Sequence, residues 1–378
     1  MNRTASKPTG PAGGNPATRM RHLRATMAKH RVPSLLVTHP PDVRYLCGFT
    51  GSNAALAITA KQALLVTDGR YTAQSKAEVK AADVRIAKGQ ALAEACRWLA
   101  GTRVRQAYYD AETMTMAALR NMRDSIAGMV RGGATRFFQP LDVALVSAQR
   151  MVKDAREIEH MAAAAALGVR LFEHLLGFLR PGLTENAVAA ELEYRARLAG
   201  AEAMSFPTIV ASGPRSALPH GTASTAKLPR RGFVTLDFGV ILNGYCSDMT
   251  RTVHMGRATA QERTAYDAVL RAQENAVSRV AAGVLAGDVD EAARSVLRDA
   301  ELAEYFTHST GHGVGLDIHE QPRIGAGQQT LLTKGMVITI EPGIYIPGAF
   351  GLRIEDTVVV EQRGARVLTP ATKAWIEL

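Results

Sequence analysis

The sequence predicts an α+β protein built from two domains, and three observations carry that expectation. At 378 residues the chain is too long for one ordinary hydrophobic core and about right for two. Short apolar strand segments alternate with helical ones as far as about residue 145. From Asp154 onward long helical segments come first and strand-rich sequence follows, the order of an α+β domain. The expected partition is a basic tail over residues 1–17, a mixed α/β domain over 18–150 and a second domain over 151–378.

The tail reading rests on composition, because Met1 to Ala17 holds three prolines and three glycines and reads as solvated, disordered chain. Thr18 to His30 reads as a first helix, with Met20, Leu23 and Met27 on one face. Pro33 to His39, Ala54 to Thr59 and Ala63 to Asp68 read as strands, the last running into the turn Asp68-Gly69-Arg70. Ala73 to Ala82 and Ala91 to Leu99 read as helices, and Gly132-Gly133 marks a loop. In the second domain Asp154 is placed to cap a helix in which Ile158, Met161, Ala165, Val169, Phe172 and Leu176 keep helical spacing. Pro181-Gly182 ends that helix. Thr184 caps the next, ending at Gly200. Strands fill 206–255, helices Thr259 to Ala282 and Val289 to Leu302, and strands Met336 to Ile346, Leu352 to Val360 and Arg366 to Thr369.

Composition narrows the function classes. Hydrophobic content of 47% with 21% charged residues is that of a globular chain. The longest apolar run, Met161 to Leu179, is broken by Arg170, Glu173 and His174, so no membrane partner is expected. Cys47, Cys96 and Cys246 are an odd count without CxxC spacing, which predicts neither a disulfide framework nor a zinc knuckle. A reducing compartment, the cytoplasm, is the expectation. The net charge is +10, and Arg3, Lys7, Arg19, Arg21, Arg24, Lys29 and Arg31 all precede the first acid, Asp42. An Arg-rich start can be a transit peptide, but tail plus helix is the simpler reading. No basic stripe with interleaved aromatics is visible, so no nucleic-acid partner is expected.

The chemistry concentrates in Asp237, Asp248, His312, Glu341 and Glu355, which sit in apolar or Gly-rich segments. Buried alone, each charge would be costly; gathered, four carboxylates would repel unless cations joined them. A site for two divalent metals and metal-assisted hydrolysis follow as the first hypothesis. Val234 to Gly239 and Tyr245 to Thr252 flank Asn243-Gly244, a favoured type I′ hairpin turn. With that turn, 242 faces 245 and 239 faces 248, so Asp237 and Asp248 are diagonal neighbours on one face. Glu341 ends an apolar strand before Pro342-Gly343, and Glu355 lies inside a strand where Arg353 shares its face. Arg353 is expected to pair with Glu355, as a surface ion pair or as a group orienting metal ligands. Gly311, Gly313 and Gly315 surround His312 and let backbone approach closely. His308 and His319 fall within the same twelve positions, and His220 lies in a separate loop. The chain has no GxSxG elbow, no GxxxxGK loop and no strand–GxGxxG–helix context. Cys246, beside the site, reads as an inward strand residue and not as a nucleophile.

At these residues the second half resembles the pita-bread metallopeptidases, in their Xaa-Pro branch of aminopeptidase P and prolidase. The match runs through Ser205 to Gly213, Leu218-Pro-His-Gly221, Leu236-Asp-Phe-Gly239, Gly244 to Thr252, His308 to Glu320, Ile340 to Tyr345 and Arg353-Ile-Glu-Asp356. Tyr45 to Ser52 and Thr67 to Tyr71 look like the creatinase-type N-terminal domain of that branch. The resemblance implies a creatinase-type domain followed by a curved antiparallel sheet with helices outside. It implies that Asp237 binds one metal, His312 and Glu341 the other, and that Asp248 and Glu355 bridge them. Manganese is the expected metal, with cobalt or zinc as alternatives. A hydroxide between the metals would attack the carbonyl before proline, with Glu341 moving its proton and His220, His308, His319 and Arg353 serving the site. The substrates implied are peptides with proline second, and the assembly a homodimer or homotetramer. Aminopeptidase P is the first reading and a prolidase restricted to dipeptides the alternative. A metal-free creatinase-like hydrolase or an inactive binding homologue comes last, since all five ligand positions are kept. Methionine aminopeptidase is disfavoured by the large N-terminal domain.

Overall fold

The computed structural model describes residues 14–378, which form two compact units that part between Arg150 and Met151. The tail expected over 1–17 lies mostly outside the described residues. Its end does not, and there the expectation is corrected. Asn15 caps helix α1 (Pro16–Lys29) by accepting from the Thr18 amide, and Pro16 sits at the first turn, where its missing N–H costs nothing. Met20, Leu23 and Met27 are buried as their spacing predicts.

The first unit continues with β1 (Ser34–Val37), α2 (Pro40–Cys47), β2 (Ala54–Thr59), β3 (Ala63–Thr67), α3 (Thr72–Glu78) and β4 (Asp83–Ile86). It closes with α4 (Ala91–Gly101), β5 (Ala107–Tyr109), α5 (Met116–Ser125), α6 (Ala134–Phe137), β6 (Phe138–Pro140) and α7 (Leu145–Arg150). Six strands make one mixed sheet in the order β4-β3-β2-β1-β5-β6. The pairs β1/β2 and β2/β3 are antiparallel, and β1/β5, β3/β4 and β5/β6 parallel. The helix expected to reach Ala82 stops at Glu78, because Val79 turns extended to feed β4. The helix α2 is absent from the sequence reading, and Pro40-Pro41 occupies its first turn, where a missing N–H costs nothing.

The second unit opens with α8 (Ala155–Phe178), whose Asp154 and Glu157 form a reciprocal capping box. By length and composition α8 could cross a membrane, but it packs Ala164, Leu167, Leu171, Phe172 and Leu175 into a core with α9 (Glu185–Leu198) and the strands below. Those strands are β7 (Ala203–Met204), β8 (Ile209–Ser212), β9 (Gly232–Phe238), β10 (Val240–Leu242), β11 (Tyr245–Cys246) and β12 (Met249–Met255). Helices α10 (Ala260–Arg279) and α11 (Ala286–Asp299) cover a second core. The remaining strands are β13 (Gly311–Gly313), β14 (Glu320–Ile324), β15 (Val337–Ile340), β16 (Gly343–Ile346), β17 (Phe350–Arg353), β18 (Asp356–Val360) and β19 (Ala365–Val367). All strand pairs of this unit are antiparallel. The whole is the α+β architecture expected, a mixed α/β domain followed by an antiparallel one with its helices against the sheets.

Candidate metal centre

The first two carboxylates come from the predicted hairpin. Asn243 and Gly244 both take positive φ, 52° and 77°, as a type I′ turn requires. Leu242 faces Tyr245 and the same register runs on to Phe238 opposite Met249 and Asp237 opposite Thr250. The hairpin is not continuous, because β9 gives way to β10 at Gly239. A Cβ there would lie 1.8 Å from the Ser247 carbonyl oxygen, so the backbones press together beside Asp248 only because residue 239 is glycine.

The late strands differ from expectation. Pro342 breaks the run Met336 to Ile346 into β15 and β16, and Ile354-Glu355 separates β17 from β18. Glu341 and Glu355 therefore stand at breaks where neighbouring strands change partners. Glu355 faces neither solvent nor Arg353. Thr250 donates to its Oε2 at 2.7 Å, and its amide donates to the Thr250 carbonyl at 3.2 Å. Arg353 pairs instead with Asp237, Nη2 to Oδ2 at 2.5 Å, which corrects the expected Arg353–Glu355 contact. Residues two apart share a face only while the strand continues, and this one stops at Arg353.

One oxygen each of Asp237, Asp248 and Glu355 lie mutually within 4.8 Å, all three residues buried. His312 Nε2 lies 3.6 Å from Asp248 Oδ2 and 3.3 Å from Glu341 Oε1. Its Nδ1 faces the Gly313 carbonyl at 3.0 Å, so that nitrogen carries the proton and Nε2 keeps its lone pair for the carboxylate side. Gly311 and Gly313 are required, since Cβ atoms there would lie 1.9 Å from the Thr339 and 2.3 Å from the Gln321 carbonyl oxygens.

Electrostatics mark this cluster as built for cations. Burial, then Glu355, Asp237 and Glu341, push the Asp248 carboxyl well above its ordinary range. Burial does the same to Glu355, with Glu341 and Asp237 adding to it, and raises Glu341 to about 7. Asp237 Oδ1 and Glu355 Oε1 are buried with no hydrogen-bond partner. Orphaned, mutually repelling oxygens beside an imidazole lone pair fit hard or borderline divalent cations.

A stability consequence follows. Carboxyls whose folded pKa is raised hold protons more tightly folded than unfolded, so they favour the metal-free fold below the ordinary carboxylate range. That contribution is lost as pH rises through about 7. The melting temperature of metal-free protein should therefore fall between pH 5 and pH 8 by this contribution, and adding a divalent metal should flatten the slope. Thermal unfolding across that range, with and without metal, checks it; a slope that metal leaves untouched would place its origin elsewhere.

The remaining expected residues divide into two groups. His308 has both ring nitrogens engaged, Nδ1 with the Ser309 carbonyl at 2.8 Å and Nε2 with the Tyr345 hydroxyl at 3.0 Å. Burial, helped by Arg353, lowers its pKa to about 4, so it is neutral and accepts from Tyr345. Tyr345 in turn accepts from Arg353 Nη1, whose guanidinium also donates to Thr250 Oγ1 and the Pro219 carbonyl. His220 and His319 are exposed, and the His319 ring meets that of His312 edge-on at 4.4 Å. Cys246 is buried, its thiol raised to about 12 by burial, as befits an inert core residue.

Sequence reasoning missed three buried braces behind these segments. Glu185 accepts from the Ser212 amide and hydroxyl, Arg215 and Ser224, holding the loop of His220. Asp290 accepts from the Thr310 amide and hydroxyl, and the Thr310 carbonyl receives the Glu341 amide at 2.7 Å. Lys153 meets Glu320, next to His319, at 3.0 Å. It also missed Tyr345 and Arg323. Arg323 is exposed and pairs across β13/β14 with His312, so the two side chains share a face.

Comparison with known proteins agrees with this chemistry. Residues 159–362 match metallopeptidase family M24, and residues 19–158 match the creatinase/prolidase N-terminal domain. An Xaa-Pro dipeptidase of Pyrococcus furiosus is 44% identical over 220 residues, 58% of this chain and 63% of that one. The solved Xaa-Pro dipeptidase from Bacillus anthracis superposes with a TM-score of 0.91 at 36% identity, covering 96% of this chain and all of that one. The X-Pro aminopeptidase from Thermotoga maritima superposes with a TM-score of 0.83 at 35% identity, over 92% and 98% of the two chains. With both family models spanning the two units, and solved relatives matched along nearly their whole length, the chain belongs to metallopeptidase family M24 and is a peptide hydrolase.

Proposed function

We propose that the chain is an Xaa-Pro dipeptidase, cleaving the bond before proline in free dipeptides. The order of the two sequence readings is thus reversed. Relatives named as Xaa-Pro dipeptidases support the change, although an X-Pro aminopeptidase is also a structural neighbour. The observation that carries it is Arg323. Its neighbours Pro322 and Ile324 are buried while it is exposed, on the same face as His312, and among the described residues it makes no ion pair. A free guanidinium beside the metal ligands suits a product-end carboxylate one residue past the scissile bond. In a dipeptide that carboxylate is the proline's own; in a longer peptide it is an amide.

Asp237, Asp248, His312, Glu341 and Glu355 would hold two divalent cations, manganese first given the oxygen-rich set. Asp248 falls in both groupings of close ligand atoms, which supports a bridging role. Bound there, the cations supply Lewis acidity, polarising the scissile carbonyl and making water more acidic. The side chains supply the rest. Glu341, with a carboxyl raised to about 7 and one oxygen receiving the Thr339 hydroxyl at 3.2 Å, is set to take and return a proton near neutrality. His220 and His319, exposed beside the ligands, are free to contact substrate and the developing oxyanion. His308 acts through Tyr345, which keeps the Arg353 fork aimed at Asp237.

The deciding assay offers metal-loaded protein Gly-Pro and Ala-Pro-Ala in parallel. Cleavage of the dipeptide alone is expected. Release of alanine from the tripeptide with comparable kcat/KM would return the reading to aminopeptidase P, and no turnover with manganese, cobalt or zinc would overturn the Xaa-Pro assignment. In Arg323→Met the KM for Gly-Pro should rise roughly tenfold or more, the scale of one charge-assisted hydrogen bond, with a smaller change in kcat. An unchanged KM would show that the carboxylate is held elsewhere.

A further inference from the structure

The net positive charge of the chain comes from its N-terminal 150 residues. Residues 1–150 carry 22 of the 45 Lys and Arg but only 9 of the 35 Asp and Glu, so the remainder is slightly acidic. The fold then sorts those charges along the strand direction. Strands β1, β3, β4, β5 and β6 run one way and β2 the other. One end of the sheet is therefore made by the segments that lead into β1, β5 and β6 and by the β2–β3 turn. Lys29 and Arg31 precede β1, Arg103 and Arg105 precede β5, Arg131 and Arg136 precede β6, and Lys61 sits in the turn. All seven are exposed, and among the described residues none makes an ion pair. Side-chain bonds tie these segments together at that end: Ser34 donates to the Gln106 carbonyl, and Arg24 to that of Thr59. The acids found there are Asp83, opening β4, and Asp124, near the end of α5.

The opposite end lacks this excess of cations. Its loops carry Asp68, Asp110, Glu112 and Asp142 against Arg70 and Lys88, and in α2 Arg44 accompanies Asp42, which is buried in an ion pair with Arg150. A domain polarised in this way is both attracted to a negative surface and turned to meet it with one end.

We propose that the basic end of the sheet is a docking face for an anionic lipid surface. The cations span the ends of β3, β2, β1, β5 and β6, about 20 Å at ordinary strand spacing. They form a broad front and not a groove that would track one strand of nucleic acid. Apolar surface lies among them. A cavity of about 250 Å³ is lined by exposed Ala28, Pro33 and Ala60 over buried Met27 and Val32, with Arg24 and Arg31 also lining it, and Met129 is 49% exposed two residues before Arg131. Basic side chains around exposed apolar ones suit the boundary between phosphate headgroups and acyl chains. Stacking of unpaired bases would call for exposed aromatics, and the large exposed apolar residues of this unit are Met116 and Met129. The sequence reading expected neither a basic patch nor a membrane partner, because the cations come from four separate segments that only the sheet topology gathers.

The test is co-sedimentation of the full-length chain with phosphatidylcholine vesicles, with and without phosphatidylglycerol. Binding is expected only to the anionic vesicles, and it should weaken as salt is raised. The variant R103E/R105E/R131E/R136E should lower the partition coefficient on the order of a hundredfold or more, since one cation near such a surface contributes roughly fivefold. A milder variant with glutamine at the same four positions should show a smaller loss in the same direction. Turnover of Gly-Pro and the melting temperature report that both variants are folded. No binding by the wild type, equal binding to neutral vesicles, binding undiminished in both variants, or tighter binding to single-stranded RNA or to a second copy of the chain than to anionic vesicles would each overturn the proposal.

Discussion

Glu341→Gln should lower kcat for Gly-Pro by roughly a thousandfold or more while leaving the protein folded. Two properties of the residue set that expectation. The carboxyl lies 3.3 Å from His312 Nε2 and takes the Thr339 hydroxyl, so it is both a candidate ligand and a base with a pKa near working pH. The amide keeps the shape and the Thr339 contact but carries no transferable proton at neutrality. Stability should move the other way. Ionised Glu341 is disfavoured in the metal-free fold, foremost by burial, so removing its charge should raise the melting temperature of metal-free protein above pH 7. The pair of outcomes separates chemistry from architecture. Lost turnover with a lowered melting temperature would make Glu341 a structural residue, and retained turnover would place the proton elsewhere.

The legibility of this site in the sequence was uneven, for physical reasons. The Asp237–Asp248 relation could be read because a two-residue turn fixes register, and Asn243-Gly244 permits little else. The need for glycine beside His312 could be read because bare backbone in an otherwise apolar region implies close approach. The surroundings of Glu355 could not. Period-two reasoning assumes an unbroken strand, and nothing in Arg353-Ile-Glu-Asp356 announces that β17 ends and β18 begins there. Arg353 consequently changed partner, from Glu355 to Asp237. The partners of His308 were hidden for a related reason. Its clustering with His312 and His319 pointed to a site, but only folding brings Tyr345, thirty-seven positions later, onto its Nε2. The braces Glu185, Asp290 and Lys153 were invisible because each binds a segment remote in sequence through one buried charge.

Arg353→Met should damage both stability and turnover, and metal should separate the two effects. The guanidinium is buried and donates to Asp237, Tyr345, Thr250 and the Pro219 carbonyl. Burial alone would lower its pKa, but Tyr345, Asp237, Glu341 and Glu355 outweigh burial and raise it well above the ordinary value, so it is the fixed cation of the cluster. Methionine fills similar volume and leaves Asp237 and Tyr345 without their donor. Removing one partner of a buried ion pair costs about 3–5 kcal/mol, because the other charge stays buried and unpaired. That cost should appear in full in metal-free protein and shrink when divalent cations neutralise the carboxylates. Turnover should not recover in step. Tyr345 and the Pro219 segment beside His220 lose a shared anchor that metal does not replace, and kcat for Gly-Pro should stay down roughly a hundredfold. Arg353→Lys keeps the charge without the fork, so it should restore most of the stability and little of the turnover. Unfolding midpoints with and without metal, set beside kcat for the two variants, decide the matter. Full activity in the lysine variant would reduce Arg353 to a counter-charge, whereas stability without activity identifies the geometry of its fork as what the site requires.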